Sequence, residues 1–324
     1  MRILAFPIWR CVDLDGDASL ARRWFRSAAP SVALNFKNSF MNFRVITVLF
    51  FSMLLSGCVH GSEPLITTNA SSGEPKQWEG FRRDDFDFEG HVATVIVPTE
   101  ALPGRPWIWR GEFFGAYANA DAELVRRGFH LAYLSIKDQF GSPEAVAVWN
   151  RFYERVRGKY RLAPRPALIG LSRGGLYCFN WAIANPTKVT CIYADAAVCD
   201  FKSWPGGAPK NLGKGAGSQS EWAKMLKAYG FQDDAAAIAW KGNPVDNLAL
   251  LAAQKVPLLL IYGDADDVVP WKENGAIVAD RYRALGGPVE TITKAGVGHH
   301  PHGLTDPTPI VNFIVWHATT AGGK

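Results

Sequence analysis

Short apolar runs alternate with longer amphipathic stretches along most of this 324-residue chain. Residues 91–98 (HVATVIVP) are β-branched and alternate in polarity, which predicts a strand. Residues 106–110 (PWIWR), 130–136 (HLAYLSI), 167–171 (ALIGL), 189–194 (VTCIYA), 257–262 (PLLLIY) and 289–293 (VETIT) predict six more. Between them, helical periodicity marks residues 120–127, with Asn119 as the expected cap and Gly128 as the stop. A second helix is expected from Pro143, capped by Ser142, to about Lys159, with Val146, Trp149, Phe152 and Val156 on one face. Others follow over the apolar run 176–183 and over 272–285 and 309–318. Residues 200–245 break this rhythm with glycine, proline and lysine around two helical pieces near 219–229 and 233–240. Strands alternating with helices predict an α/β fold, a mostly parallel central sheet with helices on both faces. The break at 200–245 is expected to be a small lid insertion.

Gly170-Leu171-Ser172-Arg173-Gly174, followed by Gly175, falls where the 167–171 strand turns into a helix that Asn185-Pro186 ends. A serine at such a turn is held in a strained, exposed position, and small residues around it let strand and helix approach. GxSxG in this setting has the form of a nucleophile elbow. A serine hydroxyl also needs a base in hydrogen-bond reach and a third group to orient that base. Downstream of PLLLIY stands Gly263-Asp264-Ala265-Asp266-Asp267-Val268-Val269-Pro270. Downstream of the 289–293 strand stands Val297-Gly298-His299-His300-Pro301-His302.

These stretches resemble the GxxDxxVP turn and the GxGH loop of α/β-hydrolases, in the family's order of serine, acid and histidine. The resemblance covers roughly residues 90–320. It implies the α/β-hydrolase fold with Ser172 as nucleophile, His299 as base and Asp266 as the orienting acid. Asp264, Asp267 and Asp195, the last at the end of the preceding strand, are alternative acids. The oxyanion needs preorganised N–H donors. One is expected from the backbone of Arg173 at the helix N-terminus. The second is expected from the WRGEFFG stretch, at Arg110 or Gly111. GLSRGG is also similar to the GCSRxG of glucuronoyl esterases, with Leu171 where that family has cysteine. Arg173 is thus a candidate charge partner for oxyanion or substrate, or else a structural ion pair.

Twelve tryptophans are many for this length. Trp107, Trp109 and Trp204 are candidate stacking faces for sugars, and His302 (with His300) a candidate substrate contact. Neither CxxC nor another metal spacing is present. His300 and His302 lack a carboxylate or cysteine beside them in sequence, so no metal is expected. Neither GxGxxG nor GxxxxGK[ST] occurs, so no nucleotide cofactor is expected.

The formal charge of +5 sits mostly at the N-terminus, where residues 1–40 hold six Lys/Arg against three Asp. The remainder is close to neutral and offers no basic patch for nucleic acid. From Met41, MNFRVITVLFFSMLLSGC reads as a basic n-region, an apolar h-region too short for a comfortable span, and a lipobox-like Leu55-Ser56-Gly57-Cys58. Residues 1–40 are then an upstream over-extension and 41–57 a lipoprotein signal peptide. Cys58 is the expected lipidated residue, 58–79 a tether, and 80–324 the α/β-hydrolase domain. This places the protein in a bacterial envelope, facing the periplasm and anchored by lipid to a membrane, by resemblance the outer one. Cys191 and Cys199 have the option of one disulfide there, although burial suits Cys191 better.

Together these features predict a serine hydrolase acting on a carboxylic ester, carried by a small molecule or a saccharide. The alternatives are a prolyl-oligopeptidase-like peptidase and a non-catalytic envelope binding protein. The short chain before residue 80 leaves no room for a propeller domain and speaks against the first. The ordered serine, acid and histidine speak against the second.

Overall fold

A computed structural model describes residues 76–320. The expected lipidation site Cys58, the signal peptide and residues 1–40 lie outside these residues, as does most of the expected tether. Among the described residues, nine strands form one sheet. They are β1 (Gln77–Trp78), β2 (Phe81–Phe88), β3 (His91–Val97), β4 (Trp107–Arg110), β5 (His130–Leu134), β6 (Ala167–Leu171), β7 (Cys191–Asp195), β8 (Leu258–Gly263) and β9 (Val289–Lys294). Their order in space is β1-β2-β3-β5-β4-β6-β7-β8-β9. The pairings from β1 to β5 through β3 are antiparallel, and every pairing from β5 through β4 to β9 is parallel. The helices are α1 (Asn119–Arg126), α2 (Pro143–Tyr160), α3 (Gly174–Ala184), α4 (Gln219–Tyr229), α5 (Asp234–Ala239), α6 (Ala249–Ala253), α7 (Gly275–Ala284) and α8 (Thr308–Thr320).

Side chains on successive strand residues point to opposite faces of a sheet, so each strand feeds two cores. Ile108, Leu131, Ile169, Tyr193 and Ile261 pack with α1 and α8 on one face. Trp109, Ala132, Leu168, Ile192 and Leu260 pack with α2, α3, α6 and α7 on the other. This alternation decides the fate of two tryptophans. Trp107 and Trp109 are 1% and 0% exposed. Trp109 stacks on Trp149 at 4.2 Å between centroids, edges onto Trp181 at 4.9 Å and stacks on Trp107 at 5.5 Å. The expectation that Trp109 meets substrate is therefore corrected: it is the aromatic centre of one core, and Trp107 lies beside it.

The hairpin of β1 and β2 was not legible as strands, because FRRDDFDF carries charge at most of its positions. The charges sit at a sheet margin and pair there. Arg83 donates to Asp85 at 2.8 Å, and Asp85 also accepts from Thr94 at 2.8 Å and Lys76 at 3.0 Å. Phe86 and Phe88 are thereby free to pack inward on the α2 side. Asn119 does not cap α1 from outside. It is the first helical residue, and its amide donates instead to the Leu304 carbonyl at 2.8 Å. Ser142 caps α2 as expected, accepting from the Ala145 amide at 3.3 Å.

The 200–245 region packs over the sheet's carboxyl edge with a small core of its own. Phe201, Trp222, Met225 and Ala237 meet Phe140, Leu176, Val198 and Val269 there. Cys178, Cys191 and Cys199 are free and buried, so the optional disulfide is not formed. No helix among the described residues is long and apolar enough to cross a membrane.

His130, the first residue of β5, is 3% exposed, and its Nδ1 has no hydrogen-bond partner. Burial, with Arg105 and Arg82 nearby, pulls its pKa down to about 4. Between about pH 4 and the ordinary value of 6.5 the unfolded chain therefore binds the extra proton, and stability falls as pH falls through that window. At about 1.4 kcal/mol per unit, the loss amounts to about 1–3 kcal/mol. Urea unfolding from pH 7 to pH 4 should show this decline, and His130→Phe should flatten it.

Candidate active site

Ser172 is the turn between β6 and α3 and adopts φ +47°, in the left-handed region that side chains disfavour. Such a residue costs about 1–3 kcal/mol and persists only where its surroundings fix it. Here its amide donates to the Asp195 carbonyl at 3.0 Å. Its own carbonyl accepts from Val198 at 2.9 Å and Gly175 at 3.0 Å. Small neighbours make room. A Cβ on Gly170 would come within 3.0 Å of the Gly174 carbonyl. Gly175, outside the five-residue motif, is tighter: its Cβ would meet Ala197 Cβ at 2.7 Å and the Val198 carbonyl at 2.8 Å.

The sheet edge brings the other two candidates to this turn. Ser172 Oγ lies 2.9 Å from His299 Nε2, across 127 residues of chain. His299 Nδ1 lies 2.9 Å from Asp266 Oδ2. Asp266, directly after β8, is fixed in turn, since its Oδ1 accepts from the amides of Val268 and Val269 at 2.9 Å each. The His299 and Asp266 side chains are 8% and 1% exposed. A carboxylate can only accept, so it holds the proton of the neutral imidazole on Nδ1 and leaves the Nε2 lone pair facing the serine.

Two of the alternative acids, Asp264 and Asp195, are engaged elsewhere. Asp264 accepts from the Gly296 amide. Asp195 is fully buried and accepts from Lys294 Nζ at 3.0 and 3.2 Å and from the Gly303 amide at 2.8 Å. It also faces His302 Nδ1 at 3.2 Å. Lys294 further donates to the Pro301 carbonyl. Asp195 therefore pins the loop that carries His299 without touching His299 itself. His302 differs from expectation: at 7% exposed and bonded to Asp195, it offers little surface to a bulky substrate.

Two arginines shape the opposite side. Arg110 was expected to supply an oxyanion donor, and this is corrected. Its guanidinium is buried against Asp121 and donates to the carbonyls of Glu112, Phe113 and Ala116. Its backbone lies between β5 and β6. The Gly111 amide donates to Ile169 of β6 at 2.9 Å, and ladder alternation directs the Arg110 amide to β5. Both nominees are thus occupied, and the next amides along the chain are those of Glu112 and Phe113. Glu112 N would sit 3.2 Å from a Cβ on Gly174, which places this turn against the elbow.

Arg173 takes the structural option. It donates to Glu112 at 2.6 and 3.0 Å and to Glu221 of α4 at 2.7 Å. Burial works against its charge, but the bonds to Glu112 outweigh it and push its pKa up. With its guanidinium satisfied by two carboxylates, only its backbone N–H remains for an oxyanion. Trp204 is half-buried, 6.3 Å from the Phe140 ring. The exposed aromatics near the site are instead Phe113 and Tyr117, at 40% and 42% exposed. Arg173 lies over the Phe113 ring, and Tyr117 stacks on His300. Neither was singled out from sequence, although both lie in the loop directly after the PWIWR strand.

No protein-family model matches the chain, and no curated protein matches it. Solved structures do. A Mycobacterium tuberculosis puromycin-hydrolyzing peptidase aligns at TM-score 0.55 and 17% identity, over 74% of this chain and 39% of its own. Pyrococcus horikoshii acylaminoacyl peptidase aligns at 0.53 and 15%, over 74% and 42%. Porphyromonas gingivalis dipeptidyl peptidase 4 aligns at 0.53 and 13%, over 73% and 36%. The fold is that of the α/β-hydrolases. The matched part spans about two fifths of these larger chains. In α/β-hydrolase terms, Ser172 stands at the elbow after β6, and Asp266 and His299 stand on the loops after β8 and β9.

The close packing at Gly175 yields a test of the elbow. Gly175→Ala should destabilise the protein by about 1–3 kcal/mol through overpacking, read as a lower urea midpoint. An unchanged midpoint would mean that α3 does not approach the 196–198 turn this closely.

Proposed function

We propose that this protein is a serine hydrolase that cleaves carboxylic esters through a Ser172–His299–Asp266 triad. The observation that carries the reading is His299 bonded at once to Ser172 Oγ and Asp266 Oδ2, both at 2.9 Å. Ser172 Oγ attacks the ester carbonyl while His299 Nε2 takes its proton. Asp266 keeps the imidazole in the required tautomer and stabilises the imidazolium. The tetrahedral oxyanion is received by the Arg173 amide and by a second amide from the Glu112–Phe113 turn. His299 then returns the proton to the leaving alcohol. Water, activated by the same imidazole, resolves the acyl-enzyme and regenerates Ser172.

Support for a saccharide-linked ester is narrower than the sequence implied. Trp107 and Trp109 are core residues and the Arg173 guanidinium is spoken for, so this finer reading rests on Trp204 and the exposed Phe113 and Tyr117. A lipid anchor at Cys58 in the envelope remains part of the proposal, supported by the Leu55–Cys58 motif alone. The second reading is a peptidase, favoured because the aligned structures are peptidases. Amide and ester hydrolysis share this triad, and the leaving group decides between them.

Ser172→Ala should lower turnover of short-chain p-nitrophenyl esters by about a thousandfold or more while the circular dichroism stays native. Wild-type turnover in that variant would refute the assignment. Aminoacyl p-nitroanilides cleaved faster than matched esters would favour the peptidase.

A further inference from the structure

Three imidazoles crowd at the mouth of this site. The ring centroids of His299, His300 and His302 form a nearly equilateral triangle with sides of 4.8, 4.9 and 4.8 Å. Each pair is edge-to-face, at 68°, 83° and 84°. One ring nitrogen from each lies within 4.8 Å of the others. The rings are close in the chain, but the residues that stand behind them, Tyr117, Asp195 and Asp266, are distant from them.

Every one of the three has an oxygen behind its Nδ1. Asp266 stands 2.9 Å from His299 Nδ1, Asp195 3.2 Å from His302 Nδ1, and the Tyr117 hydroxyl 3.3 Å from His300 Nδ1. A carboxylate can only accept, so at His299 and His302 it holds the proton on Nδ1 and leaves Nε2 as the metal-binding nitrogen; the Tyr117 hydroxyl, which can donate or accept, is compatible with the same tautomer at His300. That is how metal-ligating histidines are backed in proteins. The nearby Lys294 is paired with Asp195, so the local field is not left cationic.

We propose that His299, His300 and His302 form an inhibitory zinc site that withdraws the imidazole from Ser172. Zinc binds imidazole nitrogen at about 2.0–2.1 Å with tetrahedral angles, which places three ring centroids about 5 Å apart. The observed triangle has that size. The ligand nitrogens of such a site lie about 3.4 Å apart, so the widest separation must close by somewhat more than 1 Å. His300 is exposed and has room to turn. Water or Ser172 Oγ completes the fourth position. With His299 Nε2 bound to the metal, the serine loses its base, and removal of the metal restores it.

Metal binding stands independently of the hydrolase reading, whereas inhibition rests on it, and the experiment separates the two. Zinc chloride is titrated by calorimetry into the Ser172→Ala protein, where no turnover is involved. One equivalent should bind, at least tenfold more weakly after His300→Gln or His302→Gln is added. Cobalt(II) in its place should give the visible bands of a tetrahedral nitrogen site. Absence of one-to-one binding, or an affinity unmoved by both substitutions, would overturn the proposal. In the otherwise wild-type protein, zinc should suppress ester turnover and EDTA restore it. His300→Gln, measured against its own metal-free turnover, should need at least tenfold more zinc for the same fractional loss. Equal zinc sensitivity there would remove His300 from the site. A wild-type protein with no turnover would count against the hydrolase reading alone, leaving the calorimetric result to stand.

Discussion

The architecture of this protein turns on holding one imidazole between two partners that arrive from different strands. His299 meets a serine at the end of β6 and a carboxylate at the end of β8. It reaches them on a loop after β9, and a loop by itself holds no such geometry. The holding comes from a second carboxylate, Asp195 at the end of β7. Through Lys294, His302 and the Gly303 amide, Asp195 ties the end of β9 and the far side of the histidine loop to the sheet. Asp195 is fully buried, and its charge is matched by Lys294. Removing one partner of such a pair leaves an uncompensated buried charge, which costs about 3–5 kcal/mol. Two acids thus share the work: Asp266 orients the ring, and Asp195 fixes the segment that carries it.

The same economy governs the other wall of the site. Arg110 lies in the core between α1 and the turn after β4. It gathers the carbonyls of Glu112, Phe113 and Ala116 around a guanidinium neutralised by Asp121. That turn delivers the Glu112 carboxylate to Arg173, and Arg173 in turn reaches Glu221 in the region packed over the sheet edge. A chain of polar contacts therefore runs from the core to the region over the sheet edge, with the elbow in the middle. Arg173 meets Glu112 through two bonds, and Arg110 spreads its nitrogens over Asp121 and three carbonyls, so each planar guanidinium fixes direction as well as distance. This is a reason for arginine rather than lysine at both positions.

Much of this was legible in the sequence. The apolar strands and the periodic helices are local signals, and the Gly170–Gly174 motif announces its own geometry. The chain order of Ser172, Asp266 and His299 singles out three residues of which the fold sets His299 2.9 Å from each of the other two. What escaped depends on lateral neighbours. Trp109 reads as a candidate binding face until β4 is known to lie between β5 and β6, with α2 and α3 covering it. The charged strand β2 carries no strand signal of its own, and its Asp85 is held by Arg83 on the same strand and by Thr94 of β3. The Arg173 guanidinium reads as a possible charge partner for oxyanion or substrate until its carboxylates, at positions 112 and 221, are brought to it, and the Arg110 guanidinium is likewise taken up by Asp121. The grouping of His302 with Asp195 spans 107 residues and has no sequence signature at all.

The most direct test of the central claim is the rate and site of reaction with a fluorophosphonate, which traps only a serine activated by its base. The intact protein should acquire one adduct, mapped by peptide mass spectrometry to Ser172, and His299→Gln should slow its formation by about a hundredfold or more. An adduct on another residue, no adduct, or an undiminished rate in His299→Gln would contradict the account.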